Sequence, residues 1–243
     1  MKIGIIGSGE MGVCLATQFS NLGHEVSITN SRGPASLTQL SQQLGIKAAF
    51  IEEVLNENEV IVVSIQQVNV PTLPVSLFEN LSKEVVVIDT GNYYPTLRDG
   101  IIPGLEESGI DSLWVQQQLG RGVTKVFNSI LATSLRDFGK EQGDRERITL
   151  AVSGDDAYSK EIVFRLVDEL GFDSFDIGTI KDSWKQQPGS PIYCRDITLT
   201  ELKMRVSALG SDWKVMREIT HANRKSDEAL MKADYQAYLK TLV

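Results

Sequence analysis

The chain is short of the residues that usually advertise chemistry. Its 243 residues include two cysteines, Cys14 and Cys194, and two histidines, His24 and His221. Two cysteines cannot build a disulfide framework or a thiolate metal cluster. Cys14, one turn into a helix, reads as a buried structural thiol. No histidine accompanies the adjacent carboxylates Asp155 and Asp156, so no metal is expected there; acidic residues at a helix start suit its dipole. No apolar run is long enough to span a bilayer, and the opening residues read as a strand rather than a leader peptide. A cytoplasmic location without a membrane partner is therefore expected. Positive charge is scarce as well. With 24 Lys and Arg against 32 Asp and Glu, the net charge of −8 argues against nucleic acid as a partner. What is present, 42% hydrophobic and 23% charged residues, suits a globular chain with a sizeable core.

The most informative stretch is 1–32. Lys2–Ile6 has the apolar weight of a buried strand, and Gly7-Ser8-Gly9-Glu10-Met11-Gly12 follows with G-x-G-x-x-G spacing. Val13, Leu15, Ala16, Phe19 and Leu22 then form a helical apolar stripe, Gly23 ends it, and Glu25–Thr29 is the next strand. A strand–turn–helix–strand unit raises the glycine pattern from a common motif to a dinucleotide site. Gly7 permits the tight bend, Gly9 lets backbone approach a pyrophosphate, and Gly12 lets helix and strand pack closely. The helix N-terminus faces the phosphates. After the second strand, where a carboxylate would select NAD, stands Asn30-Ser31-Arg32-Gly33. Ser31 can donate to a 2′-phosphate and Arg32 can grip it with its fork of donors, so NADP(H) is expected over NAD(H).

The remaining chain alternates helix and strand. Helices are expected over 34–44, 71–81 and 104–119, with a short turn at 51–56. Strands are expected at 46–50, 60–65, 85–88, 124–130, Thr149–Ser153 and 173–177. The expected fold is α/β, a Rossmann-type doubly wound, mostly parallel sheet of about eight strands. Its NADP-binding domain spans 1–180, and 181–243 is a small helical extension. Strand C-terminal ends face the ligand crevice in such sheets, so Ser64, Ile65 and Gln66 are candidates to line the cofactor; the end of 124–130 supplies Asn128 and Ser129. Segment 136–147 reads as an exposed charged connection. Thr198 to Glu201 resembles a capping box, Gly210-Ser211 breaks the helix it opens, and a long helix is expected from 212 toward 242. Its apolar face would be Trp213, Met216, Ile219, Leu230, Ala233 and Ala237. That pair of helices is expected to cap the large domain, pair two subunits as a homodimer, or both.

Several stretches together resemble one family: the glycine loop 7–12, Gly23-His24-Glu25-Val26, Asn30-Ser31-Arg32-Gly33, Lys125-Val126-Phe127-Asn128-Ser129-Ile130 and Gly154-Asp155-Asp156. They resemble the NADP oxidoreductases dependent on coenzyme F420 and the predicted NADP-binding reductases grouped with them. The resemblance runs over roughly 1–180; beyond 183 it extends only to less characterised members. It implies hydride transfer between NADPH and a flat deazaflavin, F420, or a flavin-like acceptor. It also implies that residues 8–11 and 31–32 hold NADP's phosphates, with Ser64, Ile65, Gln66 and Asn128 near the nicotinamide. No catalytic residue is identified. The scarcity of acid–base groups agrees, since transfer between two ring cofactors leans on stacking geometry. Tyr93, Tyr94, Lys125 and His221 keep a small-carbonyl or hydroxyacid dehydrogenase open. The Lys and Asn one turn apart that such enzymes carry are missing, however: Lys214 is followed at four residues by Glu218, and Ile219 precedes Asn223 at the same spacing. An NADP(H)-sensing regulatory protein without turnover is the non-enzyme alternative.

Overall fold

The computed structural model describes residues 1–210 and 212–242. The chain opens with β1 (Lys2–Ile6), α1 (Glu10–Asn21) and β2 (Glu25–Thr29). Next come α2 (Thr38–Leu44), β3 (Lys47–Ala48), α3 (Ile51–Glu57) and β4 (Val60–Val63). Then follow α4 (Val75–Glu79), β5 (Val86–Asp89), α5 (Pro103–Ser108), α6 (Asp111–Leu119) and β6 (Thr124–Lys125). The second half holds α7 (Ala132–Asp137), β7 (Thr149–Ser153), α8 (Ala157–Glu169) and β8 (Asp173–Gly178). It ends in α9 (Leu199–Ala208), α10 (Trp213–Ala233) and α11 (Tyr235–Thr241). The strands form one sheet in the order β3-β2-β1-β4-β5-β6-β7-β8. Neighbours are parallel except β6 and β7, which meet antiparallel at Lys125 and Ser153. The doubly wound, mostly parallel eight-stranded sheet is as expected.

Helices cover both faces, so the central strands must be apolar on both. β4 does this within four residues: Val60 and Val62 enter one core, Ile61 and Val63 the other. Such strands read as continuous β-branched runs, which is why this part of the sheet was legible. Among the described residues no helix is long and apolar enough to cross a membrane.

Several expected elements differ. The helix over 71–81 is a 3₁₀ turn at Gln67–Thr72 followed by α4. The helix over 104–119 divides into α5 and α6 because Gly109 takes the left-handed conformation that stops α5. The strand over 124–130 ends after two residues: Phe127 has φ of 62°, outside the β region, and carries the chain into a turn. Segment 136–147 is not simply exposed. Arg147 is buried and pairs with Asp168 at 2.7 Å and Asp173 at 3.0 Å. Cys14 is half-buried, its thiol 3.3 Å from the Ala132 carbonyl. Asp156 caps α8 by accepting from the Ser159 N–H at 2.8 Å, in keeping with the dipole reading. The Thr198–Glu201 capping box is present. In the break expected at Gly210-Ser211, Ser211 lies outside the described residues.

The long C-terminal helix stops at Asp234, whose side chain accepts from the Ala237 N–H at 2.9 Å and starts α11. Its docking face is mixed: Trp213 packs on Trp184 and Leu230 on the Tyr193 and Tyr238 cluster, but its fully buried residues are polar. Thr220, Arg224 and Glu228, spaced one turn apart, are buried, while Ile219 is exposed. Glu228 accepts from the backbone N–H groups of Thr96 and Leu97, both at 2.7 Å, and Arg224 lies over the Tyr93 ring.

One buried ion pair crosses the middle of the sheet. Lys125 Nζ is 3.0 Å from Asp89 Oδ2, and both side chains are essentially without solvent. Asp89 also accepts from Ser112 Oγ at 2.6 Å and from the Gly91 N–H at 2.8 Å. Removing one member of such a pair strands the other charge in the core. Lys125→Met is therefore expected to destabilise the protein by about 3–5 kcal/mol, read by urea denaturation. A change under about 1 kcal/mol would show that the pair carries no structural weight.

Candidate functional site

The glycine turn between β1 and α1 has the geometry of a phosphate cradle. Gly7 has φ of 117°, and a Cβ there would run into the Ser64 carbonyl; one on Gly12 would run into the Gly7 carbonyl. These two glycines serve the fold. Gly9 is different: its φ is −76°, and a Cβ there would meet nothing within 4 Å. The space above Gly9 is open, so the fold itself does not require glycine there. No side chain caps α1, so the N–H groups of its first turn face that opening without a side-chain partner. An uncapped 12-residue helix over an open glycine fits a pyrophosphate.

Asn30 joins this cradle to the turn after β2. Its amide donates to Ser8 Oγ at 3.0 Å, and its Oδ1 accepts from the Arg32 N–H at 2.9 Å and from Ser36 Oγ at 3.1 Å. Ser31 and Arg32 are exposed on that turn, which carries no carboxylate. One side chain thus ties the glycine turn to the turn after β2. Phe50, 58% exposed, touches the space beside Gly33 and offers an apolar surface next to this turn.

From the cradle a cleft of about 320 Å³ opens over the C-terminal ends of the strands. It brings together Gly9, Glu10, Met11, Ser64, Ile65, Gln66 and Asn128. Gly7 and Ser8 lie in the turn just before, while Asn30, Ser31 and Arg32 stand outside this cleft. Asn128 is also bonded within the protein. Its amide donates to Asn92 Oδ1 at 3.1 Å and to the Gln186 carbonyl at 2.7 Å, and its Oδ1 accepts from Gln186 at 2.9 Å. It is a brace beneath the cleft, with its polar atoms already engaged.

The opposite wall was not foreseen. Thr90, Gly91 and Asn92 come from the loop after β5, Arg98 from the Pro95–Asp99 turn, and Tyr193 and Cys194 from the connection before α9. Phe127 and Cys194 are the non-glycine residues with positive φ among the described residues, at 62° and 49°, and both line this cleft. Backbone strain concentrates where the surroundings enforce it. Burial pushes the Cys194 thiol up to about 12, so it stands as a neutral thiol. The Tyr193 and Tyr94 hydroxyls are hydrogen-bonded to each other, and burial raises both well above the ordinary tyrosine range.

The acid–base candidates stand elsewhere. Lys125 is beneath the cleft on Asp89. The Tyr93 hydroxyl bonds the Gly100 carbonyl and the Ile102 N–H, and His221 packs against Trp213. His24 bonds Glu169 at 2.8 Å, away from the strand ends. None of Tyr93, Tyr94, Lys125 and His221 lines the cleft.

Comparison with known proteins agrees with this geometry. Residues 2–93 match the family described as NADP oxidoreductase, coenzyme F420-dependent, which bears out the resemblance over that segment. A 180-residue stretch is 28% identical to the metalloreductase STEAP3 of Rattus norvegicus, covering 74% of this chain and 34% of that protein. The chain spans between about a third and two fifths of the curated relatives it matches. A hypothetical protein of Sinorhizobium meliloti, SMa0349, superposes with a TM-score of 0.67 at 26% identity, over 82% of this chain and 95% of that one. A protein described as an F420-dependent NADP reductase, from Arthrobacter sp. FB24, gives 0.62 at 24% identity over 76% and 87%, a likeness of fold. These matches support the expectation of an NADP-dependent oxidoreductase; the acceptor is a separate question.

The two kinds of glycine can be separated by experiment. Gly9→Ala is expected to leave folding stability within about 1 kcal/mol, read by denaturation. It is expected to weaken NADP⁺ binding at least about tenfold, read by calorimetric titration. Unchanged affinity in a folded Gly9→Ala protein would remove the cradle.

Proposed function

We propose that this chain, with its Rossmann fold and NADP-oxidoreductase match over 2–93, is an NADPH-dependent oxidoreductase. It would pass a hydride between NADPH and a flat deazaflavin- or flavin-like acceptor, coenzyme F420 or a flavin. The observation that carries the reading is the pairing of a phosphate cradle with a cleft whose tyrosine, Tyr193, is already hydrogen-bonded to Tyr94. The open, uncapped α1 terminus leads into a cleft whose lining holds no histidine or lysine.

NADPH, when bound, supplies the hydride. The rest is the work of this chain's residues. Ser8, Gly9, Glu10 and Met11 would hold the pyrophosphate through backbone N–H groups, on a turn shaped by Gly7, whose own N–H bonds the Thr29 carbonyl at 2.8 Å. Asn30 fixes the turn from which Ser31 and Arg32 would bind the 2′-phosphate. Ser64, Ile65 and Gln66 would form the wall along the nicotinamide, with Asn128 bracing the cleft from below. Met11, Ile65 and Leu131 give the cleft apolar surface that suits a stacked ring. The Tyr193 hydroxyl in the lining is tied to Tyr94 and the Cys194 thiol is buried, which favours a ring acceptor over a carbonyl, whose reduction needs a proton delivered at oxygen.

Residues 1–180 would form the NADP-binding unit and 181–243 its extension. Met204, Val215 and Ile219 are exposed on α9 and α10, which supports pairing of two copies through the C-terminal helices. Light scattering at the mass of one chain would remove that pairing. The acidic balance supports leaving nucleic acid out of the reading.

The test is NADPH oxidation followed at 340 nm with F420, FMN and FAD, and with small aldehydes, ketones and 2-oxo acids. Turnover is expected with the ring acceptors. Arg32→Ala is expected to raise the Kd for NADPH at least about tenfold while leaving NADH nearly unchanged. Turnover with carbonyl compounds alone would favour a dehydrogenase. Tight NADPH binding without turnover on any acceptor would favour a sensor.

A further inference from the structure

The far wall of the cleft carries a cation that hydride transfer does not itself require. Of the residues lining the cleft, Glu10 and Arg98 are charged. Arg98 is held with unusual completeness for a residue on a loop. Its Nε and Nη2 donate to the two oxygens of Asp99 at 3.3 and 3.1 Å, and Nη2 also reaches the Asn92 carbonyl at 2.5 Å. The guanidinium lies 5.3 Å from the centre of the Tyr94 ring. The pair is polarised. The Asp99 side chain is 0% exposed and accepts from the Tyr94 N–H at 2.8 Å, whereas the Arg98 side chain is 34% exposed. Below, Glu228 fixes the same turn through the N–H groups of Thr96 and Leu97.

Those contacts commit Nε and Nη2. Nη1 makes no hydrogen bond among the described residues. A guanidinium locked by a buried carboxylate, with donors left over at the edge of an apolar-walled cleft, is a receptor for an oxyanion. Because the side chain is already ordered, little rotamer entropy is lost on binding. The chain's net charge of −8 gives no general attraction for anions, so selection of one must come from a local, fixed cation.

We propose that Arg98 binds an oxyanion, phosphate or carboxylate, carried by the acceptor, and so selects such acceptors over the bare ring. This rests on the reading of the cleft as the acceptor site. The test compares FMN with riboflavin, which share a ring system and differ by the phosphate. NADP⁺-loaded protein is titrated with each by flavin fluorescence, for the wild type, Arg98→Gln and Arg98→Lys. FMN is expected to bind wild type at least about tenfold more tightly than riboflavin. Arg98→Gln should abolish that ratio by weakening FMN alone, Arg98→Lys should keep part of it, and the Kd for NADP⁺ should stay the same in all three. Equal affinity of the wild type for the two flavins overturns the proposal whatever the variants do. So does binding of neither flavin, or an Arg98→Gln protein in which riboflavin or NADP⁺ weakens as much as FMN. The flavin ratio is an equilibrium quantity, so it decides this point even if no acceptor turns over and the oxidoreductase reading fails.

Discussion

The buried pair of Asp89 and Lys125 is the constraint on which the working end of this molecule depends. Taking both charges out of water costs several kcal/mol per ion, and the pair is tolerable only where every remaining donor and acceptor is used. Here they are used. Asp89 gathers Lys125, the Ser112 hydroxyl and the Gly91 N–H, and Lys125 donates in addition to the Gly91 carbonyl. The consequence is geometric. The ends of β5 and β6, the start of α6 and the loop at 90–92 are tied to a single point in a low-dielectric interior, where such bonds are strongest. That loop is one wall of the cleft, so the wall is fixed from beneath rather than by its own sequence.

A second polar anchor acts from outside the sheet. Glu228 sits on α10 but serves the Pro95–Asp99 turn, accepting the N–H groups that a turn of helix leaves unsatisfied at its start. Arg224, one turn earlier, pairs with Glu106 of α5 at 3.4 Å and covers the Tyr93 ring at 4.9 Å. The C-terminal helix is therefore attached to the body by charge-assisted hydrogen bonds, and the turn it holds presents Arg98 to the cleft. An apolar stripe was the natural reading of Trp213, Met216, Ile219 and Leu230. Periodicity locates a face only when hydrophobic burial does the docking. Here the fully buried side chains of the helix are polar and find their partners about 120–130 residues away.

The same distinction explains what else was legible. The glycine turn, the β-branched strands, the capping box at Thr198 and the acid at the start of α8 are local devices, each made by residues within a few positions of one another. They could be read, and with them the doubly wound sheet. The split of 104–119 turns on the local Gly109, but the shortened β6 and the burial of Arg147 depend on partners distant in sequence. Arg147 is an example: nothing near it in 136–147 announces that Asp168 and Asp173 will enclose it. The hydrogen bonds of Asn128 could not be read, because Gln186 and Asn92, the partners that engage its amide, come from elsewhere in the chain.

The two halves of the candidate site differ in the same way, and in how they carry strain. On the cradle side, positive φ falls on glycines, Gly7 and Gly33, which adopt it at little cost. On the far side Phe127 and Cys194 take left-handed φ without that freedom, each at a cost of order 1–3 kcal/mol that neighbouring contacts must offset. The neighbours can be named. Val126 donates its N–H to the Asp89 carbonyl, Asn128 is clamped by Asn92 and Gln186, and Tyr193 is tied to Tyr94. A site built from one contiguous segment needs only the right residues in order. A wall assembled from 90–98, 127–132 and 193–194 needs the finished fold to hold it, and so the cradle was legible from residues 1–32 while the surface facing it was not.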